Sequence, residues 1–279
     1  MNSWRSEYVT ANKLKFHYTR TGGEESKLPL VLMHGVTDDG LCWTSIAEAL
    51  APEYDVIMVD ARGHGRSDAP KRGYGPAFHA KDLAAIIKQL KLKRPIILGH
   101  SMGAMSALTF AASYPKVPRA ILLEDPPLRW MTEEAETAEM MAWRKGTRAW
   151  LTSLKRKTHK DLVAEQRAST PHWKDDVVER WAESKQRFSL NVSEVFDAKN
   201  DRSLDWQTLI PHVSCPTLLI TADPAYGALV TPENAAALQS LISQLKTVHI
   251  PAAGHSVRHD QLDKYLSAIK TFLDEIKNS

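Results

Sequence analysis

The chain has little cysteine: Cys42 and Cys215 are the only two in 279 residues. Two cannot form a disulfide scaffold, and their scarcity suits a reducing compartment. Glycine (13) and proline (15) are few and scattered, which excludes collagen-like and low-complexity chains. Charge of one sign is not in excess. Lys and Arg number 36 against 33 Asp and Glu, interleaved, for a net +3, so no nucleic-acid partner is expected. No Cys/His cluster has the spacing of a zinc site, and neither a metal nor a cofactor is expected. There is no long unbroken apolar run. The most apolar stretch, 95–112, is interrupted by Gly99, His100 and Ser101, and reads as a strand followed by a helix rather than a membrane span. Residues 1–20 carry charges throughout, so a secretory signal is not expected. The expectation is a cytoplasmic protein without membrane association.

What is present is the balance of a globular chain. Apolar residues make up 43% and charged residues 25%, enough apolar surface to exclude disorder as the dominant state. The length suits one large α/β domain, or a core domain with an insertion. Short strands are predicted at 7–10 and 14–19, broken at Asn12. Continuous apolar runs at 29–33, 55–59, 95–98 and 120–123 read as strands buried on both faces. Helical spacing separates them at 42–50, 77–90 and 102–113. Residues 128–204 hold no convincing β-branched run and read as charged amphipathic helices. Strand and helix then alternate again, with strands at 217–221 and 247–250 and helices at 232–245 and 261–276. Buried strands alternating with helices predict a parallel sheet covered on both faces. The helical block is an insertion between two of its strands. The predicted division is 1–125 and 207–279 for the α/β core and 126–206 for an all-helical cap.

The sharpest local signal is Gly99-His100-Ser101-Met102-Gly103. It fits G-x-S-x-G between a predicted strand and a predicted helix. In such a turn the serine is strained and lifted clear of the sheet, at a helix N-terminus that favours developing negative charge. A nucleophilic serine needs a base. Ala253-Gly254-His255 follows the last predicted strand, which makes His255 the candidate and matches the chain order Ser, acid, His. His34, His64, His100 and His259 read as structural.

Four segments together resemble the α/β-hydrolase superfamily over nearly the whole chain. They are His34-Gly35, the run Asp60-Ala61-Arg62-Gly63-His64-Gly65-Arg66-Ser67, the Ser101 turn, and Gly254-His255. The resemblance implies a mostly parallel sheet flanked by helices, with Arg62, His64 and Asp68 as structural residues. It also implies an oxyanion hole from the backbone N–H groups of Val36 and Met102. Thr37, Asp38 and Asp39 either line the pocket or form a solvated loop.

The acid departs from the common pattern. Aligning Leu229-Val230-Thr231 on the usual segment puts Gly227 where the acid belongs, with Asp223 earlier, at the strand tip. A second placement, resembling haloalkane dehalogenases and zearalenone-type lactonases, puts the acid after the strand that follows the nucleophile helix. That position is Asp125, in Leu123-Glu124-Asp125-Pro126-Pro127. Asp125 is favoured, and Asp223 and Glu124 stay open.

Serine rather than aspartate at 101 argues against dehalogenase and epoxide-hydrolase chemistry, since a Ser–His pair attacks a carbonyl. Carboxylic esters and lactones are the expected substrates. A C–C bond hydrolase and a ligand receptor with weak turnover are the alternatives. Trp130, Trp143, Trp150, Trp173, Trp181 and Trp206 crowd into the helical block, against only Trp4 and Trp43 elsewhere. They read either as filler between block and core or as the wall of a pocket for a bulky apolar small molecule. Trp130, Trp143 and Trp150 are the candidates for substrate contact. The oligomeric state is left open, a homo-oligomer included.

Overall fold

The computed structural model describes residues 4–23, 26–128, 138–197 and 204–277. Strands β1 (Arg5–Ala11) and β2 (Leu14–Arg20) form an antiparallel hairpin. Its two-residue turn places Asn12 and Lys13 at φ 47° and 64°, the positive values that match the twist of a tight hairpin. Strands β3 (Leu28–Met33), β4 (Tyr54–Val59), β5 (Ile96–His100), β6 (Ala120–Glu124), β7 (Thr217–Thr221) and β8 (Leu245–His249) complete an eight-stranded sheet. The order is β1-β2-β4-β3-β5-β6-β7-β8. β2 pairs antiparallel with β4, and the pairings from β4 through β8 are parallel.

The parallel strands alternate their side chains between two cores, as the pleat requires. Val31, Met33, Ile97, Ile121, Leu123 and Leu219 enter one core. Leu30, Leu32, Ile96, Leu98, Leu122 and Leu218 enter the other. Helices α1 (Thr44–Leu50), α2 (Pro76–Gln89) and α3 (Met102–Ser113) connect the early strands. α1 packs in the second core and α2 and α3 in the first. Every position of α3 from Met102 to Ala112 is buried, because it lies over the middle of the sheet.

The chain runs from β3 to β4 on one side and returns to β5 on the other. The carboxyl end of β3 is therefore a topological switch point, where a crevice opens in sheets of this kind.

Between β6 and β7 the described residues form helices α4 (Ala138–Arg156), α5 (His159–Ser169) and α6 (Asp175–Arg187), then the short α7 (Trp206–Leu209). Leu151, Leu154, Leu162, Val163, Val178, Ala182, Phe188 and Val192 give this block a small core of its own, joined by Tyr74. After β7 come α8 (Pro232–Leu241), α9 (Val257–Asp260) and α10 (Leu262–Lys277). Among the described residues no helix is long and apolar enough to cross a membrane.

The end of one helix and both ends of the last strand differ from the sequence expectation. The helix expected over 232–245 stops at Leu241, because Ile242 turns extended at φ −124° and ψ 97°. The last strand begins at Leu245 and ends at His249 rather than running 247–250. It is an edge strand with exposed positions, not one buried on both faces. Pairing with β7 through Leu245 and Thr217 sets its start, and helical spacing alone does not reveal that.

The glycine pattern at 99–103 has a steric origin that yields a test. A Cβ on Gly103 would lie 2.1 Å from the carbonyl oxygen of Met33, whereas one on Gly146 would meet nothing within 4 Å. Gly103→Ala should cost at least about 1–3 kcal/mol through overpacking. Gly146→Ala, within α4, should gain up to about 1 kcal/mol from helix propensity. Thermal and denaturant unfolding of both variants checks the contrast.

Candidate active site

Strand β5 ends at His100, and α3 begins at Met102. Ser101 between them has φ 52° and ψ −115°, a strained conformation for a residue with a side chain. Its N–H donates to the Glu124 carbonyl at 2.9 Å and its carbonyl accepts from Met105 N at 3.0 Å. The backbone on both sides is thus pinned. The flanking glycines are required by close approach: a Cβ on Gly99 would lie 2.3 Å from the Gly103 carbonyl oxygen. Ser101 itself is only 8% exposed and lines a cavity.

His255 lines the same cavity from the loop after β8. Gly254 precedes it because a Cβ there would lie 2.3 Å from the Tyr226 carbonyl oxygen. The His255 ring donates through Nδ1 to Asp125 Oδ2 at 2.6 Å. Asp125 is fully buried at the tip of β6 with φ 42°. Its carboxylate also accepts from Leu229 N at 3.0 and 2.8 Å and from Val230 N at 2.9 Å. These backbone donors fix the plane of the carboxylate. Because the carboxylate accepts from Nδ1–H, the His255 Nε2 is left as the acceptor on the cavity side.

The other two candidate acids are engaged elsewhere. Asp223 accepts from Ala252 N at 2.7 Å and pairs with His249 Nε2 at 3.0 Å. Glu124 is fully buried and accepts from Arg258, through its backbone N–H and its guanidinium, and from the Tyr265 hydroxyl. Gly227, where the common pattern has an acid, is left-handed at φ 94° and also lines the cavity.

Val36 and Met102 both line the cavity. Met102 is the first residue of α3, so its N–H has no acceptor within the helix. The turn carrying Val36 is tightly held. His34 accepts from Ala61 N at Nε2, so its Nδ1–H donates to the Gly35 carbonyl at 2.7 Å. Asp38 N donates to the same carbonyl at 3.1 Å. The neighbouring Asp38 and Asp39 are buried, 8% and 2% exposed, so this is not a solvated loop. Burial pushes the Asp38 carboxyl up, but Lys185 and Arg258 outweigh it and hold the group well below its ordinary range. His100 is neutral, pushed well down by burial and by Arg258. Its Nε2–H donates to the His255 carbonyl at 2.9 Å, tying the His255 backbone to the strand end beside Ser101.

The cavity measures about 450 Å³, the size of a small-molecule site. Its apolar wall includes Met105, Trp150, Leu154, Trp181, Val195 and Phe196, and Arg144 and Lys185 are its basic residues. Trp150, one of the tryptophans singled out in the sequence, lines this cavity. Trp143 lies on α4, but its side chain is outside the described residues, and Trp130 is wholly outside them. Trp206 is core filler at 6% exposure. Trp173 donates its indole N–H to Asp260 at 2.7 Å. Sequence reasoning did not single out Lys185, Arg144, Phe196 or Leu229. Their types carry no motif, and their positions depend on how the helical block sits on the sheet.

A family profile described as "alpha/beta hydrolase fold" matches residues 29–261. The chain belongs to the alpha/beta hydrolase fold family. It is 29% identical over 268 residues, 95% of each chain, to the N-formylmaleamate deformylase of Pseudomonas putida. It is also 29% identical, over 90% of each chain, to the 2-(acetamidomethylene)succinate hydrolase of Mesorhizobium japonicum. Among solved structures, an E-2-(acetamidomethylene)succinate hydrolase superimposes with a TM-score of 0.80 at 26% identity, covering 97% of this chain and 99% of that one. These relatives are hydrolases, and hydrolysis is the class of activity they support for this chain.

The His255–Asp125 geometry makes a spectroscopic prediction. In ¹⁵N-histidine-labelled protein at neutral pH, His255 should hold its proton on Nδ1. Asp223→Asn should leave that tautomer unchanged, whereas Asp125→Asn should shift it, since an Asn there presents a donor where Nδ1–H needs an acceptor.

Proposed function

We propose that the chain is a serine hydrolase that transfers an acyl group from a small carbonyl substrate to water. The observation that carries this reading is Ser101 on a strained turn lining one cavity with a His255 ring held on a buried Asp125. His255 Nε2 accepts the Ser101 hydroxyl proton as Oγ attacks the substrate carbonyl carbon. The carbonyl π electrons move to oxygen, and the N–H groups of Val36 and Met102 stabilise the resulting oxyanion. The tetrahedral species collapses, and His255 gives its proton to the leaving group. Water then repeats the sequence on the acyl-enzyme, releasing the acid and restoring Ser101. Asp125 holds the tautomer and stabilises the imidazolium throughout.

The bond cleaved is the finer question. An ester or lactone is the default for a Ser–His pair, and the apolar wall suits a bulky or aromatic group. A second reading is hydrolysis of an N-acyl bond. It is favoured by the two near-full-length relatives, whose names carry a formyl amide and an acetamido group on small carboxylate-bearing molecules. Arg144, whose Nη1 donates to the Phe196 carbonyl at 2.7 Å, lines the same cavity and is our candidate contact for such a carboxylate. C–C bond hydrolysis with the same residues is a further alternative, which ring-cleavage products in a substrate panel address.

Ser101→Ala should lower turnover by about 10³–10⁶-fold with the fold intact, and an organophosphonate should label Ser101 alone. Asp125→Asn should cost about 10⁴ in turnover, and Asp223→Asn should keep most of it. Labelling at another serine, or near-normal turnover of the Ala variant, overturns the assignment. The bond class is read from a panel of aryl esters, lactones and N-formyl or N-acetyl enamides, each with and without a carboxylate.

Trp150 is 43% exposed although it lines the cavity, so truncating it should leave the protein folded. Trp150→Ala should change the ratio of turnover on bulky and short-chain substrates while hydrolysis of a small ester survives. An unchanged ratio removes Trp150 from substrate selection.

A further inference from the structure

Lys185 is an unusual residue for the position it occupies. It sits on α6, in the block between β6 and β7, yet its side chain is only 1% exposed and it lines the cavity beside Ser101. A buried ammonium is costly unless each of its three donors is used. Here Nζ donates to Asp38 Oδ1 at 2.7 Å, to the Thr37 carbonyl at 3.1 Å and to Ser184 Oγ at 3.2 Å. The ammonium also stands 4.5 Å from the centroid of the Trp181 ring. Two of the three acceptors belong to the turn that carries Val36.

The geometry of that turn gives the contact a consequence. The peptide between Gly35 and Val36 is trans, as no described peptide bond is cis. Its carbonyl and its N–H therefore point in opposite directions. The carbonyl end is fixed by His34 Nδ1–H and by Asp38 N–H, so the Val36 N–H is aimed the other way. The Asp38 N–H can stay on Gly35 only while Asp38 stays in place. Its side chain is clasped from two directions, by Lys185 on Oδ1 and by Arg258 Nη2 on Oδ2 at 3.3 Å. Arg258 is in turn anchored to Glu124 at the tip of β6. Of the two clasps, only Lys185 comes from the helical block.

We propose that Lys185 is a positioning residue for the reaction, holding the 35–38 turn through Asp38 so that the Val36 N–H stays aimed at the oxyanion. The inference rests on the serine-hydrolase reading above. A seated helical block then completes the oxyanion site as well as closing over the substrate. Displacement of a reacting group by about 1 Å costs about 100-fold in rate, and the loss of one oxyanion donor costs about 10²–10³. Loosening the turn without removing the donor should lie at or below that scale.

The experiment compares wild type with Lys185→Met and, because a buried pair is being broken, with the near-isosteric Asp38→Asn. Three readouts are taken on folded protein: kcat and KM with p-nitrophenyl acetate, inhibition by a trifluoromethyl ketone, and the rate of phosphonate labelling of Ser101. The expected result is a kcat lower by about 10–100-fold with KM little changed. Affinity for the ketone, whose Ser101 adduct carries an oxyanion, should fall in parallel with kcat/KM. A residue that merely docks the helical block would lower the melting temperature and leave these three readouts of the folded fraction alone. Wild-type kcat and ketone affinity in folded Lys185→Met overturn the proposal. If that variant does not fold, the same result in Asp38→Asn overturns it. Failure of wild type itself to be labelled at Ser101 overturns the serine-hydrolase reading, and this inference with it.

Discussion

The arrangement depends on one close contact between backbones: the first turn of α3 lies directly against the tip of β3. A Cβ on Gly103 would fall 2.1 Å from the Met33 carbonyl oxygen and 2.8 Å from that of His34. Only glycine permits this approach, two residues after Ser101 with its φ of 52°. The same contact brings the Gly35 turn beside the nucleophile turn, where a Cβ on Gly35 would come within 2.9 Å of His100 Nδ1. The ends of β3, β5 and β6 are thereby held close together at the switch point of the sheet. Everything the cavity contains is placed relative to that junction.

The second constraint is electrostatic. Besides Asp39, which pairs with Arg187, four carboxylates are buried near the carboxyl ends of the strands, those of Asp38, Asp60, Glu124 and Asp125. None is tolerable there without partners. Asp60 accepts from His17, Gly40 N and Arg66 N. Asp38 has Lys185 and Arg258, and Glu124 has Arg258 and Tyr265. Asp125 has two backbone N–H groups and His255. Of the four, only Asp125 gives an acceptor to a ring that lines the cavity. The others tie loops to the sheet. Charge burial at this rim thus serves geometry, and the role of each carboxylate follows from who donates to it.

The sheet was legible because strands buried on both faces leave continuous apolar runs, as at Val56, Ile57 and Met58. The strained turn at Ser101 was legible for a steric reason, since its glycines answer to backbone contacts that any such turn must make. His255 could be read from its place after the last strand. The partners that steady the site were not legible. Lys185 is one charged residue among many on an amphipathic helix, and nothing in its local pattern says that it is buried. Arg258 is a basic residue three positions after His255 whose partners, Glu124 and Asp38, lie 134 and 220 residues away. Such pairs are set by tertiary packing, which has no short-range signature. The end of α8 escaped for a related reason, because Leu245 continues a helical pattern but is recruited into β8 by pairing with β7.

The position of Asp125 as the candidate acid follows from what the loop after β7 does instead of supplying one. Asp223, at the start of that loop, turns to Ala252 N and His249. Gly227 takes a left-handed φ of 94°, and with no side chain it has no carboxylate to offer His255. The chain then presents the N–H groups of Leu229 and Val230 to Asp125. A loop that donates backbone N–H groups cannot use the same geometry to accept from an imidazole, so the two functions are divided. The strand tip of β6 provides the carboxylate, and the β7 loop provides the donors that orient it. The carboxylate is then carried by a fully buried residue whose N–H donates to the Ile220 carbonyl of the adjacent strand. Its direction is fixed by the sheet, and the loop needs only to hold two peptide groups in place.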